Sequence, residues 1–258
     1  MPFINSSDFQ KGAIIGKRWV LGDIVGTGAV GTVFRVTDKM VPTLALVAKV
    51  ISEYGNDSFR AECNIHSFLA QHARCARFVP KIHSTIFAGQ RSVIVMEKLG
   101  ESIRDVLRKP YRYSISQGVR WGLQIIDIVD ELIAAGVHHN DITDRNLVLG
   151  ARRTPVSDKI FLLDFEKSEI TQKKEDTRGN LEKNQEKLKR AYDNRYDLIC
   201  AVDVVSEIVD EISTSQQRQD IAQRARNMQR TFREIQSNHS VQTCLNDTRC
   251  ELTAIASM

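Results

Sequence analysis

Two aspartates and an asparagine carry the clearest chemical signal in this sequence. Asp141 and Asn146 lie in a polar stretch between apolar runs, and Asp164 directly follows the short apolar segment 160–163. A carboxylate can accept a proton, and carboxylate and amide oxygens are ligands that Mg²⁺ prefers. Brought together from loops at strand ends, the three side chains suit one basic group and two metal-binding groups around a phosphate.

The elements next to these residues must position them. Apolar residues recur at helical spacing between Trp121 and Val137, which predicts a helix leading into the polar stretch. Residues 147–149 and 160–163 are short apolar runs that we expect to form buried strands. The polar residues would then be delivered from loops at the ends of these two strands.

A glycine-rich segment lies near the start of the chain. Gly26, Gly28 and Gly31 follow a strand-like run that begins at Trp19, and residues 32–36 are rich in β-branched and aromatic types. A dinucleotide-binding turn would need a helix after the last glycine, whereas these residues favour a second strand and therefore a hairpin. Backbone N–H groups of such a hairpin can cover phosphates. A plain glycine-rich hairpin is the alternative.

One lysine interrupts an apolar strand at residues 44–51. Lys49 shares a face of that strand with Val47, so it must either reach water or pair with a buried anion. Downstream, four residues share one stripe of a predicted helix: Phe59, Glu62, His66 and Leu69. We therefore expect Lys49 to pair with Glu62 and to aim its ammonium group at a ligand phosphate.

The predicted elements divide into a sheet-rich part and a helical part. Residues 91–97 are expected to form a strand and then a connector, after which helices are predicted over 102–108 and 116–135. This order predicts an α+β chain with two lobes. Its predicted divisions are a lead-in (1–17), an N-terminal lobe (18–97) and a C-terminal lobe (98–258) with its core to about 212 and a helical tail over 213–258.

Taken together, these motifs resemble those of the eukaryotic-type protein kinase superfamily, in the same order over about residues 19–170. They are the glycine-rich loop Gly26-x-Gly28-x-x-Gly31-x-Val33, the lysine strand Val47-Ala48-Lys49, the helix glutamate Glu62, the catalytic loop His139-Asn140-Asp141 with Asn146, and Asp164-Phe165-Glu166 in place of the DFG motif. Segments 95–102 and 159–165 look most like the casein kinase I and vaccinia-related kinase branch. The resemblance implies a two-lobed protein kinase-like fold.

The resemblance also implies ATP and Mg²⁺ as cofactors and a role for each matched residue. Asp141 would accept the proton of the attacking hydroxyl, while Asn146 and Asp164 would hold Mg²⁺. The residues implied to bind ATP are Gly26, Thr27, Gly28, Gly31, Val33, Ala48, Lys49, Glu62, Met96, Glu97 and Leu99. Structural roles are implied for His139, Phe165 and Asp197, of which Asp197 would brace the catalytic loop.

Four departures from the family pattern bear on activity. Asn140 replaces an arginine that usually pairs with a phosphate on the activation loop, and Thr143 replaces a lysine that usually meets the γ-phosphate. Arg145 is the expected substitute for that positive charge. Glu166 replaces the glycine of DFG and places a carboxylate beside the metal site. Residues 167–195 form a charged run without an APE-like motif, so the usual peptide groove is in doubt.

The C-terminal part contains two more predicted helices. Asp197 opens the first, which covers residues 198–212. The second spans about 218–236, with apolar residues on one stripe and arginines off it. We expect it to pack on the C-terminal lobe, with partner binding as the alternative. A solvated loop and a polar helix over 181–192 are expected within the charged run, and residues 244–258 carry no functional signal.

The composition limits which classes of protein are compatible with this sequence. The 258 residues are 42% hydrophobic and 26% charged, and the net charge of +4 permits an acidic partner without indicating nucleic acid. Five cysteines without a CxxC pair indicate reduced intracellular thiols. No signal peptide and no apolar run of roughly 18 residues is visible, so we expect no membrane contact and a location in the cytoplasm or nucleus.

The function expected from the sequence is ATP- and Mg²⁺-dependent phosphoryl transfer to a Ser/Thr hydroxyl of a protein that the sequence does not identify. A pseudokinase that binds ATP as a regulator or scaffold is the first alternative, suggested by Thr143 and Glu166. A kinase-fold enzyme that phosphorylates a small molecule is the second, suggested by the missing peptide-groove motif. Nucleic-acid binding would fit only the arginine-bearing helix.

Overall fold

The computed structural model describes residues 9–28, 31–51, 56–88, 91–171, 195–235 and 240–258. Within these ranges, a sheet-rich N-terminal lobe precedes a mainly helical C-terminal lobe, so the predicted two-lobed α+β architecture is confirmed. The polar helix predicted over residues 181–192 lies outside the described residues.

The N-terminal lobe is built on an antiparallel sheet. Its strands in the described ranges are β1 (Ile14–Ile15), β2 (Trp19–Thr27), β3 (Gly31–Asp38), β4 (Leu46–Ile51), β5 (Ile82–Ala88) and β6 (Arg91–Glu97). They lie side by side in the order β1-β2-β3-β4-β6-β5. β2 and β3 form the hairpin that the β-branched residues predict, and Lys49 lies on β4 next to it.

Helix α1 (Asn56–Gln71) joins the two lobes through its buried stripe. Phe59 packs with residues of β4 and β6 in the N-terminal lobe, whereas Leu69 belongs to the core of the C-terminal lobe. Glu62 and His66 lie between them on the same stripe and are also buried. The predicted helical stripe is therefore confirmed, and it brings Glu62 to the boundary between the lobes.

The C-terminal lobe surrounds one long buried helix. Its helices in the described ranges are α2 (Ile103–Leu107), α3 (Ile115–Ala135), α4 (Arg195–Ser215), α5 (Gln219–Ile235) and α6 (Val241–Ala256). Ser114 and Gln117 form a capping box at the start of α3. Gly136, at φ 70°, ends this helix after Ala135, where the helix predicted over 116–135 also ends. Val137, the last residue of the apolar spacing, begins a strand instead.

Two short antiparallel ladders frame the polar stretch that follows α3. Strand β7 (Val137–His138) pairs with β10 (Glu169–Ile170), and β8 (Leu147–Leu149) pairs with β9 (Ile160–Leu162). Both strands predicted from the apolar runs therefore form. The loop between β7 and β8 and the segment between β9 and β10 lie at adjacent ends of these ladders, so residues far apart in sequence meet there.

The last two helices complete the core of the C-terminal lobe. Helix α5 buries the apolar residues Ile221, Ala225, Met228 and Phe232. The predicted packing of this helix on its own lobe is confirmed, and three of its arginines pair with acidic residues of that lobe: Arg224 with Glu251, Arg226 with Asp210 and Arg233 with Asp203. No helix in the described ranges is long and apolar enough to span a bilayer.

Candidate active site

A cleft of about 760 Å³ lies between the N-terminal sheet and the loops of the C-terminal lobe. Most of the residues that the sequence assigns to the site line this cleft: Thr27, Gly28, Gly31, Val33, Lys49, Glu62, Met96, Asp141, Arg145, Asn146 and Asp164. The structure therefore brings together residues from β2, β3, β4, β6, α1 and the loops after β7 and β9.

The ammonium group of Lys49 is bonded to two carboxylates at once. Its Nζ donates to Glu62 Oε2 at 2.8 Å and to Asp164 Oδ1 at 2.7 Å. Burial lowers the pKa of Lys49, but the charges of Glu62 and Asp164 outweigh it, and the pKa is raised above its ordinary value. Burial raises the pKa of the Glu62 carboxyl, and the Lys49 charge opposes that shift. The predicted Lys49–Glu62 pair thus forms, and Asp164 joins it.

Asp197 braces the loop that carries Asp141. Its side chain is buried and accepts hydrogen bonds from the backbone N–H groups of His139 at 2.6 Å and Asn140 at 2.8 Å. These two N–H groups would otherwise be donors without acceptors at the start of the loop. The geometry matches the structural role that the sequence implies for Asp197.

His139 orients the loop from inside the core. Its Nδ1 accepts the backbone N–H of Asp141 at 3.2 Å, which leaves Nε2–H to donate to the carbonyl oxygen of Leu163 at 3.0 Å. Burial lowers the pKa of His139 and favours this neutral tautomer. The ring therefore connects the Asp141 loop with the chain that leads into Asp164.

Asp141 and Asn146 face each other across one turn of the loop. The side-chain amide of Asn146 donates to the backbone oxygen of Asp141 at 2.9 Å and to its Oδ2 at 3.2 Å. Leu163 donates its backbone N–H to the carbonyl oxygen of Asn146 at 2.8 Å, which holds the two loops together. The carboxylate of Asp141 is thereby fixed at the floor of the cleft, as a proton acceptor requires.

The donor set fits a magnesium ion. Because Nδ2 of Asn146 is used for Asp141, its amide oxygen is left for a ligand, and Asp164 keeps one carboxylate oxygen beyond the one bonded to Lys49. Mg²⁺ prefers hard oxygen ligands and is usually held by one or two carboxylates together with phosphate oxygens. Among the described residues, no cluster of three His, Cys, Asp or Glu forms a self-contained metal site. Any ion held by Asp164 and Asn146 would therefore depend on substrate oxygens.

Phe165 lies between two histidine rings. Its ring centroid is 5.0 Å from that of His66 on α1 and 4.9 Å from that of His139, both with edge-to-face geometry. Burial lowers the pKa of His66 to about 4, and the nearby charge of Lys49 acts in the same direction. The stack links α1, which carries Glu62, to the two loops that carry Asp141 and Asp164.

The glycines of the hairpin differ in how much space a side chain would have at each position. A Cβ on Gly31 would lie 2.2 Å from the backbone oxygen of Val50, so the packing of β3 on β4 excludes a side chain there. A Cβ on Gly28 would meet nothing closer than 3.8 Å, and one on Gly26 would have open space around it. Gly31 is thus needed by the sheet itself, whereas Gly28 leaves room in the cleft for a ligand.

The assignment of Ala48 to the ATP site needs correction. Ala48 points away from the cleft into the core formed with Trp19 and Phe34, whereas Val47 shares the face of Lys49 and lines the cleft. Alternate residues of a strand face opposite sides, so only one of the two neighbours can face the ligand.

The connector between the lobes shows which backbone groups are available to a ligand. Met96 lines the cleft at the end of β6, whereas Glu97, Leu99 and Gly26 do not. The backbone N–H of Glu97 donates to Lys81 and that of Lys98 to Ala45. The backbone N–H of Leu99 has no such acceptor in the described part of the chain, so this group of the connector can donate to a ligand.

Two of the four departures from the family pattern lie in the cleft. Thr143, Arg145 and Glu166 line the cleft. Burial raises the pKa of Glu166, and the negative charge of Asp164 adds to that shift. Lys167, the first residue of the charged run, places its Nζ 3.2 Å from Asp141 Oδ1. Lysine directly after the Asp164 motif was the available signal for this contact, but spacing alone does not connect it to Asp141.

No protein-family model matches the chain. A Caenorhabditis elegans protein named putative serine/threonine-protein kinase K06H7.1 is 27% identical over 141 residues, which cover 54% of this chain and 40% of that protein. The match thus spans well under half the length of that relative.

A solved structure shares the fold. The crystal structure of the kinase domain of PF14_0431 aligns with a TM-score of 0.60 at 16% identity, over 79% of this chain and 66% of that one. At this identity the likeness concerns the fold alone.

Proposed function

We propose that this chain, which belongs to the protein kinase-like superfamily, transfers the γ-phosphoryl group of ATP to a serine or threonine hydroxyl of a protein in the presence of Mg²⁺. One observation carries the proposal: Lys49 bridges Glu62 and Asp164 in a cleft that Asp141 and Asn146 also line. The relative named as a serine/threonine-protein kinase supports a kinase-type function and the choice of hydroxyl.

The residues of the cleft would perform this reaction mainly by positioning and charge. The hydroxyl oxygen of the substrate forms a bond to the γ-phosphorus while the bond from that phosphorus to the bridging oxygen of ADP breaks. Asp141 accepts the hydroxyl proton, and Asn146 orients its carboxylate. Lys49 neutralises charge on the α- and β-phosphates, and the hairpin between β2 and β3 covers them.

Asp164 and Asn146 are the residues that would hold magnesium. Bound Mg²⁺ would neutralise and orient the phosphate oxygens. Lys49 fixes the orientation of Asp164 by bonding one of its carboxylate oxygens, and Asn146 is held by its own bonds to Asp141. Both ligands are thus oriented by neighbouring side chains, as a metal site of this kind requires.

The decisive experiment measures transfer of labelled γ-phosphate from Mg-ATP to the protein itself and to casein, with Asp141→Asn alongside. We expect label with the wild type and a loss of at least about 100-fold in the variant, because the proton acceptor is removed. Because Asp141 does not hold the α- and β-phosphates, ATP affinity should stay unchanged. Equal transfer by both proteins would remove Asp141 from this role.

Glu166 favours one second candidate, a pseudokinase that binds ATP as a regulator or scaffold. Its carboxylate lines the cleft near Asp164, where a negative charge opposes the approach of phosphate. Magnesium-dependent ATP binding without transfer to any protein or metabolite would select this function. Transfer to a metabolite but to no protein would instead select a small-molecule kinase.

A further inference from the structure

The segment that follows Phe165 is tied closely to the loop of Asp141. The side-chain amide of Asn140 donates to the backbone oxygen of Lys167 at 3.0 Å, and Ser168 Oγ donates to the backbone oxygen of His139 at 3.2 Å. One residue further on, β10 pairs with β7. The backbone of Lys167 is therefore held in place beside the floor of the cleft.

The side chain of Lys167 extends from this fixed backbone to the proton acceptor. Its Nζ lies 3.2 Å from Asp141 Oδ1, while Asn146 donates to Oδ2 of the same carboxylate. The side chain is 55% exposed and lines the cleft, so its ammonium group is accessible to a ligand there. An ammonium group has three donors, so one bond to Asp141 leaves others for a phosphate oxygen.

The other cations that line the cleft either pair with other carboxylates or form no ion pair with Asp141. Lys49 is bonded to Glu62 and Asp164, and Arg104 donates through Nε to Asp144 at 3.0 Å. Arg145, the substitute expected from the sequence, is exposed and forms no ion pair with a described residue. Among the cations that line the cleft, Lys167 is thus the one with its charge at the carboxylate that receives the proton.

We propose that Lys167 contacts the γ-phosphate of bound ATP and neutralises its charge during transfer, from a position that Asn140 fixes. The inference rests on the proposed function and assigns a catalytic residue within it. The ammonium group keeps its proton throughout: the hydroxyl oxygen bonds to the γ-phosphorus, the bond to the bridging oxygen of ADP breaks, and the hydroxyl proton passes to Asp141. Lys167 supplies positive charge where negative charge on the transferred group must be stabilised.

Nucleotide selectivity tests the proposal without relying on activity. Titration calorimetry with Mg²⁺ would compare ADP with β,γ-methylene-ATP, which carries the terminal phosphate but does not transfer it. In Lys167→Met we expect the dissociation constant of the ATP analogue to rise about tenfold while that of ADP stays the same, since only the terminal phosphate loses a charged contact. Lys167→Arg should retain most of the preference because it retains the charge.

Asn140 is a positioning residue in this scheme. Asn140→Gly suits the observed φ of 62° and removes only the amide that holds Lys167. We expect it to lose part of the preference for the ATP analogue with no change for ADP, a pattern that general loosening of the loop would not produce. As a matched control, Lys39→Met removes an exposed lysine outside the cleft and should change neither constant.

The outcomes separate this inference from the function on which it rests. Wild-type protein that binds neither nucleotide would overturn the proposed function, and the inference with it. Wild type that prefers the ATP analogue, with the same preference in Lys167→Met, would overturn the inference alone. A higher kcat in Lys167→Met would also overturn it, because the ammonium group would then be masking Asp141. An equal loss in Lys167→Arg and Lys167→Met would exclude the charge as the cause.

Discussion

The imidazole of His66 on α1 meets the ring of Phe165 edge to face, with the ring centroids 5.0 Å apart. Helix α1 also carries Glu62, and Phe165 directly follows Asp164, so this contact ties the two carboxylate partners of Lys49 to each other through the core. A histidine that is buried in such a stack can keep its place only while it is neutral.

The stack makes folding stability depend on pH. In the folded protein, burial lowers the pKa of His66 from 6.5 to about 4, and the nearby charge of Lys49 acts in the same direction. Between these values the unfolded chain binds the proton more readily, so stability falls as the pH is lowered from 6.5 towards 4. We expect this residue to cost about 2 kcal/mol of stability on going from pH 7 to pH 5.

Urea denaturation at the two pH values measures this effect. His66→Leu should lose about 2 kcal/mol less than the wild type over the same pH interval, whatever its stability at pH 7. The exposed His72 provides the control, and His72→Leu should keep the pH dependence of the wild type. The same pH dependence in His66→Leu as in the wild type would contradict the assignment.

Breaking the Lys49–Glu62 pair should have two separable effects. In the proposed function Lys49 neutralises phosphate charge, so we expect Lys49→Met to lower the affinity for ATP. It also leaves Glu62, at 2% exposure, without its partner, which should cost about 3 kcal/mol of stability at pH 8. At pH 5 the loss should be smaller, because burial raises the pKa of Glu62 and the carboxyl can then be neutral.

The double variant Lys49→Met/Glu62→Gln distinguishes these effects. It should recover most of the stability at pH 8, since no uncompensated buried charge remains, yet bind ATP as weakly as the single variant. Denaturation curves at both pH values, with an ATP titration, provide the measurement. A stability loss in Lys49→Met that is the same at pH 8 and pH 5 would show that Glu62 is not the source of the cost.

The two glycines of the hairpin should respond differently to alanine. Gly31→Ala would place a methyl group 2.2 Å from the backbone oxygen of Val50, so β3 and β4 must move apart at a cost of about 2 kcal/mol. Gly28→Ala meets nothing closer than 3.8 Å, and its effect should fall on ATP affinity. Thermal denaturation and ATP titration of both variants test this. A similar loss of stability in the two would contradict it.

Asp197 should contribute strongly to the stability of the loop that carries Asp141. Asp197→Ala leaves the backbone N–H groups of His139 and Asn140 without an acceptor, and we expect a loss of about 3 kcal/mol. Asp197→Asn keeps one acceptor and should lose about half as much. Asp247 is exposed on α6, and Asp247→Ala should cost nearly nothing. Denaturant midpoints of the three variants provide the comparison.

Local sequence patterns predicted the elements of the site well. The β-branched residues after Gly31 identified the hairpin, and helical spacing placed Glu62 on the buried stripe opposite Lys49. These features depend on periodicity within one element, which the chain displays directly. Ala48 shows where matching a motif fails. The motif assigned Ala48 to the cleft, although the alternation of side chains along the strand already placed Val47 on the same face as Lys49.

Contacts between distant segments could not be predicted in the same way. The bond from Lys49 to Asp164 and the approach of Lys167 to Asp141 depend on how β10 pairs with β7 and how the two lobes meet. No spacing rule encodes such pairings. The helical tail predicted over 213–258 contains α6, but the contacts of α6 were not predicted. The helix packs against α3, and its Arg249 pairs with Asp127 and Asp130.

The ladder between β7 and β10 closes a loop of chain on itself. It is extended by the bond from the N–H of Thr171 to the carbonyl oxygen of Gly136 at 2.7 Å, so the chain between these two residues begins and ends at one place. Asp141, Asn146, Asp164 and Lys167 all lie inside that loop. In hydrogen exchange, the amides of this segment should therefore open as one cooperative unit, so these four side chains would take and lose their positions together rather than one by one.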